Sequence, residues 1–149
     1  MHENKEASID FRLSLRDVCW DLPLTAPVLA EAALIFKAEE SSTFTFQPMD
    51  TQWGDYCGGF TYEIVYVSGD FVTPPDLDSV FTVGYPVDSV NGRHEVTTLA
   101  PDLTWLGTHT FFIRGQNGGG SSKEYNTVDS DTFTITWNDP CIDNEVTLV

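Results

Sequence analysis

One stretch of this chain is written twice. Residues 9–19, Ile-Asp-Phe-Arg-Leu-Ser-Leu-Arg-Asp-Val-Cys, align with residues 131–141, Asp-Thr-Phe-Thr-Ile-Thr-Trp-Asn-Asp-Pro-Cys. The alignment sets Phe11 over Phe133, Leu13 over Ile135, Leu15 over Trp137 and Asp17 over Asp139. In both copies apolar side chains recur at every second position, the period of a strand with one face in a core. The offset from Cys19 to Cys141 is 122 residues, close to the size of one β-sandwich module. Repetition at a fixed period marks units joined head to tail. The chain is thereby expected to be all-β, with a strand ahead of its own module that is patterned as the end of another.

With 149 residues, one such unit fits and two do not. The expected organisation is a connector strand over 1–18, the sandwich module over 19–138 and a second connector over 139–149. Further period-two runs fall at 43–49, 60–67, 80–83, 94–99, 108–114 and 132–137, with a last fragment at 146–149. Turn chemistry separates them, at Ser68-Gly69-Asp70, Pro74-Pro75-Asp76, Asn91-Gly92 and the glycines 118–120. Asn91-Gly92 predicts a hairpin turn, since both residue types tolerate positive φ. The stretch 27–40 is rich in helix formers, but it lies where a second strand is needed and is read as strand. Seven to eight strands result, an antiparallel sandwich whose terminal strands are shared with neighbouring units.

Charge narrows the choice of partners. Seven Lys and Arg stand against 23 Asp and Glu, a formal net charge of −16, so nucleic acid and anionic membranes are repelled at long range. No run approaches the ~18 apolar residues of a membrane-spanning helix. Met1 to Glu6 has no apolar secretion-signal core, so a secreted protein is expected to have had a signal or a longer upstream region that was removed or lies outside this sequence. Catalytic motifs are missing: there is no phosphate loop, dinucleotide fingerprint or nucleophile elbow. His2, His94 and His109 lack zinc spacing and read as ordinary strand or terminal histidines. The expectation is therefore that the chain is not an enzyme.

Three cysteines cannot all pair with one another. Cys19 and Cys57 are the candidates for a bridge within the module, worth about 3–4 kcal/mol by loop entropy. Cys141, the repeat-equivalent of Cys19, would then bond to the next unit. Three reduced, buried thiols in a reducing compartment are the other reading.

The segments Cys57-Gly-Gly-Phe-Thr-Tyr62, Leu103-Thr-Trp-Leu-Gly-Thr-His-Thr-Phe111 and Asp131 to Cys141 together resemble the tandem Ig-like and cadherin-like modules of large surface proteins of unicellular eukaryotes. That resemblance implies an Ig-like fold, a cell-surface or extracellular location and copies of the same module as partners. The first junction departs from the pattern, with Val18 where the second has Pro140. Acidic linkers of this kind hold calcium in cadherins, and Asp139, Asp143 and Glu145 are the corresponding oxygen donors here. Other loop acids, Asp76 and Asp78 or Asp129 and Asp131, offer the same chemistry. Trp53, Tyr56 and Trp105, read as loop aromatics, could stack on sugar rings or pack over the Cys19–Cys57 bridge. The function expected is a structural subunit of an extracellular fibre or surface array. Phe11, Leu13 and Leu15 at one end, and Val146 and Leu148 at the other, would carry the assembly strands. A glycan-binding or calcium-stiffened adhesion module is the alternative.

Overall fold

Period-two alternation becomes two facing sheets in a computed structural model of the chain, which describes residues 13, 24–49, 60–71, 75–84, 92–117 and 127–142. The first sheet contains β1 (Val28–Leu29), β3 (Ser42–Gln47), β5 (Phe81–Val83) and β6 (His94–Thr98), in the spatial order β1-β3-β6-β5 and antiparallel throughout. The second contains β2 (Ala33–Lys37), β4 (Phe60–Ser68), β7 (Gly107–Asn117) and β9 (Phe133–Asn138), in the order β2-β9-β7-β4. A short β8 (Thr127–Asp129) also pairs with β7. All neighbours in this sheet are antiparallel except β2, which runs parallel to β9.

The segment 27–40 is strand, as context required, but it serves both sheets. β1 pairs with the end of β3, the chain crosses over at 30–32, and β2 joins the edge of the opposite sheet. Helix propensity loses because alternation places Leu34 and Phe36 against the core and leaves Ile35 exposed. Gly92 has φ 63°, as a turn residue there requires, and β5 and β6 on either side pair antiparallel; Asn91 lies outside the described residues.

β8 had no clear signal in the sequence. β8 and β9 are one strand in effect, broken by a bulge on the same edge of β7. Arg114 faces Asp129 while Phe111 faces Phe133, so three steps along β7 span four along its partner. Ser130 fills the gap: the Ile113 N–H donates to its hydroxyl at 2.9 Å, and its own N–H donates to the Ile113 carbonyl at 2.8 Å. A side-chain oxygen thus replaces the ladder acceptor that the extra residue displaces, and the buried backbone stays satisfied.

Side chains from both sheets interdigitate in one core. Phe44, Phe46, Phe81 and Val96 come from the first sheet, and Ile64, Phe111, Ile113, Phe133, Ile135 and Trp137 from the second. Trp137 sits at the crowded end, its ring centroid 5.4 Å from Trp105, 6.1 Å from Phe111 and 6.2 Å from Phe81. Ring pairs at such separations add roughly 0.5–1.5 kcal/mol each beyond the area they bury. Trp137→Ala should therefore cost about 3–5 kcal/mol, whereas Ile35→Thr on the exposed face should stay within about 0.5 kcal/mol. Urea melts of the two variants check the contrast.

Candidate functional site

The second copy of the repeat is β9. Its inward residues Phe133, Ile135 and Trp137 are at most 2% exposed, and they are the positions that match Phe11, Leu13 and Leu15. β9 lies between β2 and β7 and is enclosed on both edges. In the first copy only Leu13 is described, and it is 74% exposed. Phe11, Leu15, Val146 and Leu148 lie outside the described residues.

The chain leaves β9 through a capped turn. The Asp139 carboxylate accepts the Cys141 N–H at 2.8 Å, and the Ile142 N–H donates to the Asp139 carbonyl at 3.2 Å. Asp at the first position and Pro at the second suit such a turn, because the carboxylate binds a nearby amide and the ring presets φ. Cys141 is exposed and is not in a disulfide. Cys19 and Cys57 lie outside the described residues, as do Asp143 and Glu145 of the calcium set. Among the described residues no group of three or more His, Cys, Asp or Glu could hold a metal ion.

The other loop acids are engaged or scattered. Arg114 grips Asp129 through two bonds, at 2.7 and 3.0 Å. That hydrogen bond holds the Asp129 carboxyl below the usual carboxylate range and keeps the guanidinium more firmly protonated. The Arg114 plane also lies 5.2 Å over the Phe112 ring, with Glu63 at 3.8 Å. Asp102 caps the 3₁₀ turn Leu103–Trp105 by accepting from the Thr104 N–H and hydroxyl, which lowers its pKa. Asp76 and Asp78 are exposed at the 3₁₀ turn Leu77–Ser79.

Of the two roles open to Trp105, stacking on a sugar and packing in the core, its burial leaves the second. It is 6% exposed, its ring packed 4.6 Å from Phe71 and 5.4 Å from Trp137. A ring covered in this way has no face for a sugar. The turn carries it over the end of the sandwich, where the largest apolar side chain closes the core. Trp53 and Tyr56 lie outside the described residues.

Behind Trp105 lies a feature the sequence did not disclose. His109 is wholly buried on β7, and its Nε2–H donates to the Trp105 carbonyl at 3.1 Å. The bond ties the corner between β6 and β7 to the strand that follows it. Nδ1 of His109 and the Tyr66 hydroxyl find no hydrogen-bond partner among the described residues. Both point at Gly69, where a Cβ would overlap Nδ1 and sit 2.6 Å from the hydroxyl. His94 behaves differently. Half buried between Phe46 at 5.5 Å and Tyr62 at 5.0 Å, it has its pKa pushed down by burial, a shift partly offset by a backbone hydrogen bond at Gly84. The same burial pushes the Tyr62 phenol up to about 12.

The crossover between β1 and β2 leaves the sandwich open on one side. A cleft of about 290 Å³ there is lined by Leu29, Leu34, Phe36 and Phe44, with Glu31, Thr43 and Thr45 at its rim. On the opposite side a second opening of about 330 Å³ runs between β4 and β5 and carries Glu63 and Asp78.

No family model and no curated protein matches the chain. Solved structures do match, among them an endo-fucoidan hydrolase of glycoside hydrolase family 107 and a variant of the same enzyme. Each is 15% identical over 76% of this chain, with a TM-score of 0.39, and the chain spans 14% of their length. The expectation that the chain is not an enzyme is corrected by that finding, since the solved proteins it partly resembles are hydrolases, and it is not carried further. A likeness of this size assigns no catalytic role to any residue here.

Two outcomes follow from the buried histidines. An alanine at Gly69 must displace the His109 ring or the Tyr66 hydroxyl, so Gly69→Ala should destabilise by about 1–3 kcal/mol in a urea melt. For His94, the unfolded chain takes up a proton near 6.5, while the folded chain resists it to lower pH. Its contribution to stability is therefore complete above about 6.5 and declines as pH falls through the folded value. Melts between pH 7.5 and 5 should show a steeper loss for the native chain than for His94→Gln; equal slopes would remove His94 as the cause.

Proposed function

We propose that the chain is an Ig-like β-sandwich module serving as a structural unit of an extracellular fibre or surface array, joined head to tail through its two ends. One observation carries the reading. The repeated segment at 133–138 is the enclosed final strand of this module, so its counterpart at 11–16 is patterned as the final strand of a unit that precedes it.

Two features support the fold assignment. The orders β1-β3-β6-β5 and β9-β7-β4 correspond to strands A, B, E, D and G, F, C of an immunoglobulin sandwich, with the first strand divided between the sheets. At the corner where that fold commonly uses a tyrosine hydroxyl to hold the backbone, His109 bonds to the carbonyl of Trp105.

Polarity supports the assembly. β1 begins opposite Gln47, the last residue of β3, while β6 ends opposite Ser42, the first. β9 ends opposite Gly107, where the chain emerges from the corner after β6. Entry to the module and exit from it therefore lie at opposite ends, the arrangement that propagates a row of units rather than closing a pair. The exposed thiol of Cys141 stands at the exit, placed to bond with the unit beyond in an oxidising medium.

Sedimentation velocity on the full chain tests the reading. Association should grow with concentration, and multimers that persist in oxidising buffer should be released by reductant and by Cys141→Ser. A 16.6 kDa particle at every concentration, with or without reductant, would refute the array.

A further inference from the structure

We propose that the cleft beside β3 is the acceptor for residues 9–15 of a second copy, which enter as an added strand. The inference rests on the array reading above and assigns the surface that performs it. The place that the repeated sequence suits best, between β2 and β7, is filled in each copy by that copy's own β9. A neighbour's segment needs a different edge.

β3 offers one. β1 pairs only with Phe46 and Gln47 before the chain crosses to the other sheet. Ser42 to Thr45 keep β6 on one side and, among the described residues, have no strand on the other. Directly beneath this free edge, Leu29, Leu34 and Phe36 remain only partly buried against the core, and Phe36 stacks on Phe44 at 6.4 Å. An added strand would bond to the free backbone and set alternate side chains into the cleft, the geometry of β-augmentation.

Residues 11–15 fit that edge in length, pattern and direction. As a strand, Phe11, Leu13 and Leu15 would set three apolar side chains on one face over five residues, one more than the four-residue edge. Leu13 is 74% exposed in the single chain, so it has not been consumed by its own fold. Antiparallel to β3, the segment runs toward the exit end, and residues 18–27 then lead to a donor module that lies beyond that end. This is the head-to-tail direction.

Charge acts in the same sense. Arg12 and Arg16 are two of only seven cations in a chain of net charge −16, and they alternate with the apolar residues. Glu31 stands on the cleft rim, and Glu39 and Glu40 are exposed in the turn from β2 to β3 at the exit end. Copies that repel one another overall would thus meet through a local attraction.

The test uses the full chain carrying Leu13→Asp, which retains the acceptor but cannot donate, labelled with ¹⁵N and titrated with a synthetic peptide of residues 8–17. Saturable shifts confined to 29–36 and 42–46 are expected. A peptide with Leu13→Asp should bind at least about tenfold more weakly, and Glu39→Lys with Glu40→Lys in the acceptor should weaken binding severalfold. Shifts along β4 and β5 instead, or no shifts at about 1 mM peptide, would overturn the cleft assignment. The array reading fails separately, when the unmodified chain sediments only as a monomer; association that persists while the peptide binds elsewhere removes the cleft alone.

Discussion

The structure depends on the burial of β9. This strand sits between a parallel neighbour and an antiparallel one, and its inward rings Phe133 and Trp137 meet the first sheet through Phe44, Phe81 and the Trp105 corner. Removing it would divide the second sheet and uncover the rings of Phe81, Trp105 and Phe111 together. Because dispersion and hydrophobic terms scale with contact and buried area, the strand with the most enclosed apolar residues holds both sheets in register. The same strand is the one the sequence writes twice, so the element that completes the fold is also the one that points beyond it.

The edges are treated unequally. β9 is sealed by pairing on both sides, and the bulge at Ser130 lets β8 continue along β7 without leaving an unmet amide. β3 loses its partner halfway, and the crossover that takes the partner away also opens the wall above Phe36 and Phe44. An open edge is normally a hazard, because its backbone groups template further pairing. In a chain of such high negative charge, long-range repulsion suppresses unselective pairing, and a segment that brings its own arginines is favoured over one that does not.

At the two ends, polar groups do the organising. Asp139 is used within the chain to cap the turn after β9, and Asp129 is held by Arg114. His109 spends one ring nitrogen on the corner backbone and leaves the other facing Gly69. Of the carboxylates offered to calcium, Asp139 and Asp129 serve local geometry, while Asp76, Asp78 and Asp131 are exposed.

Period-two alternation was readable for most strands because it follows from the pleat alone, and β3, β4, β6, β7 and β9 fall within a few residues of where it placed them. β8 was not readable, since three residues after a glycine-rich stretch carry no period. Nor could the chain order reveal that 27–40 feeds two sheets, because crossing over depends on which edges stand free once the others have paired. Trp105 looked like a loop aromatic because its neighbours are loop-like; its burial comes from residues distant in sequence, Phe71, Phe81 and Trp137. By itself the sequence determined the all-β class, the acidic composition and the segment written twice, properties set by local pattern and composition. Tertiary structure alone decided that entry and exit lie at opposite ends, that His109 anchors the corner and that, among the described residues, β3 keeps a free edge over an apolar cleft, since each depends on contacts between segments far apart in the chain.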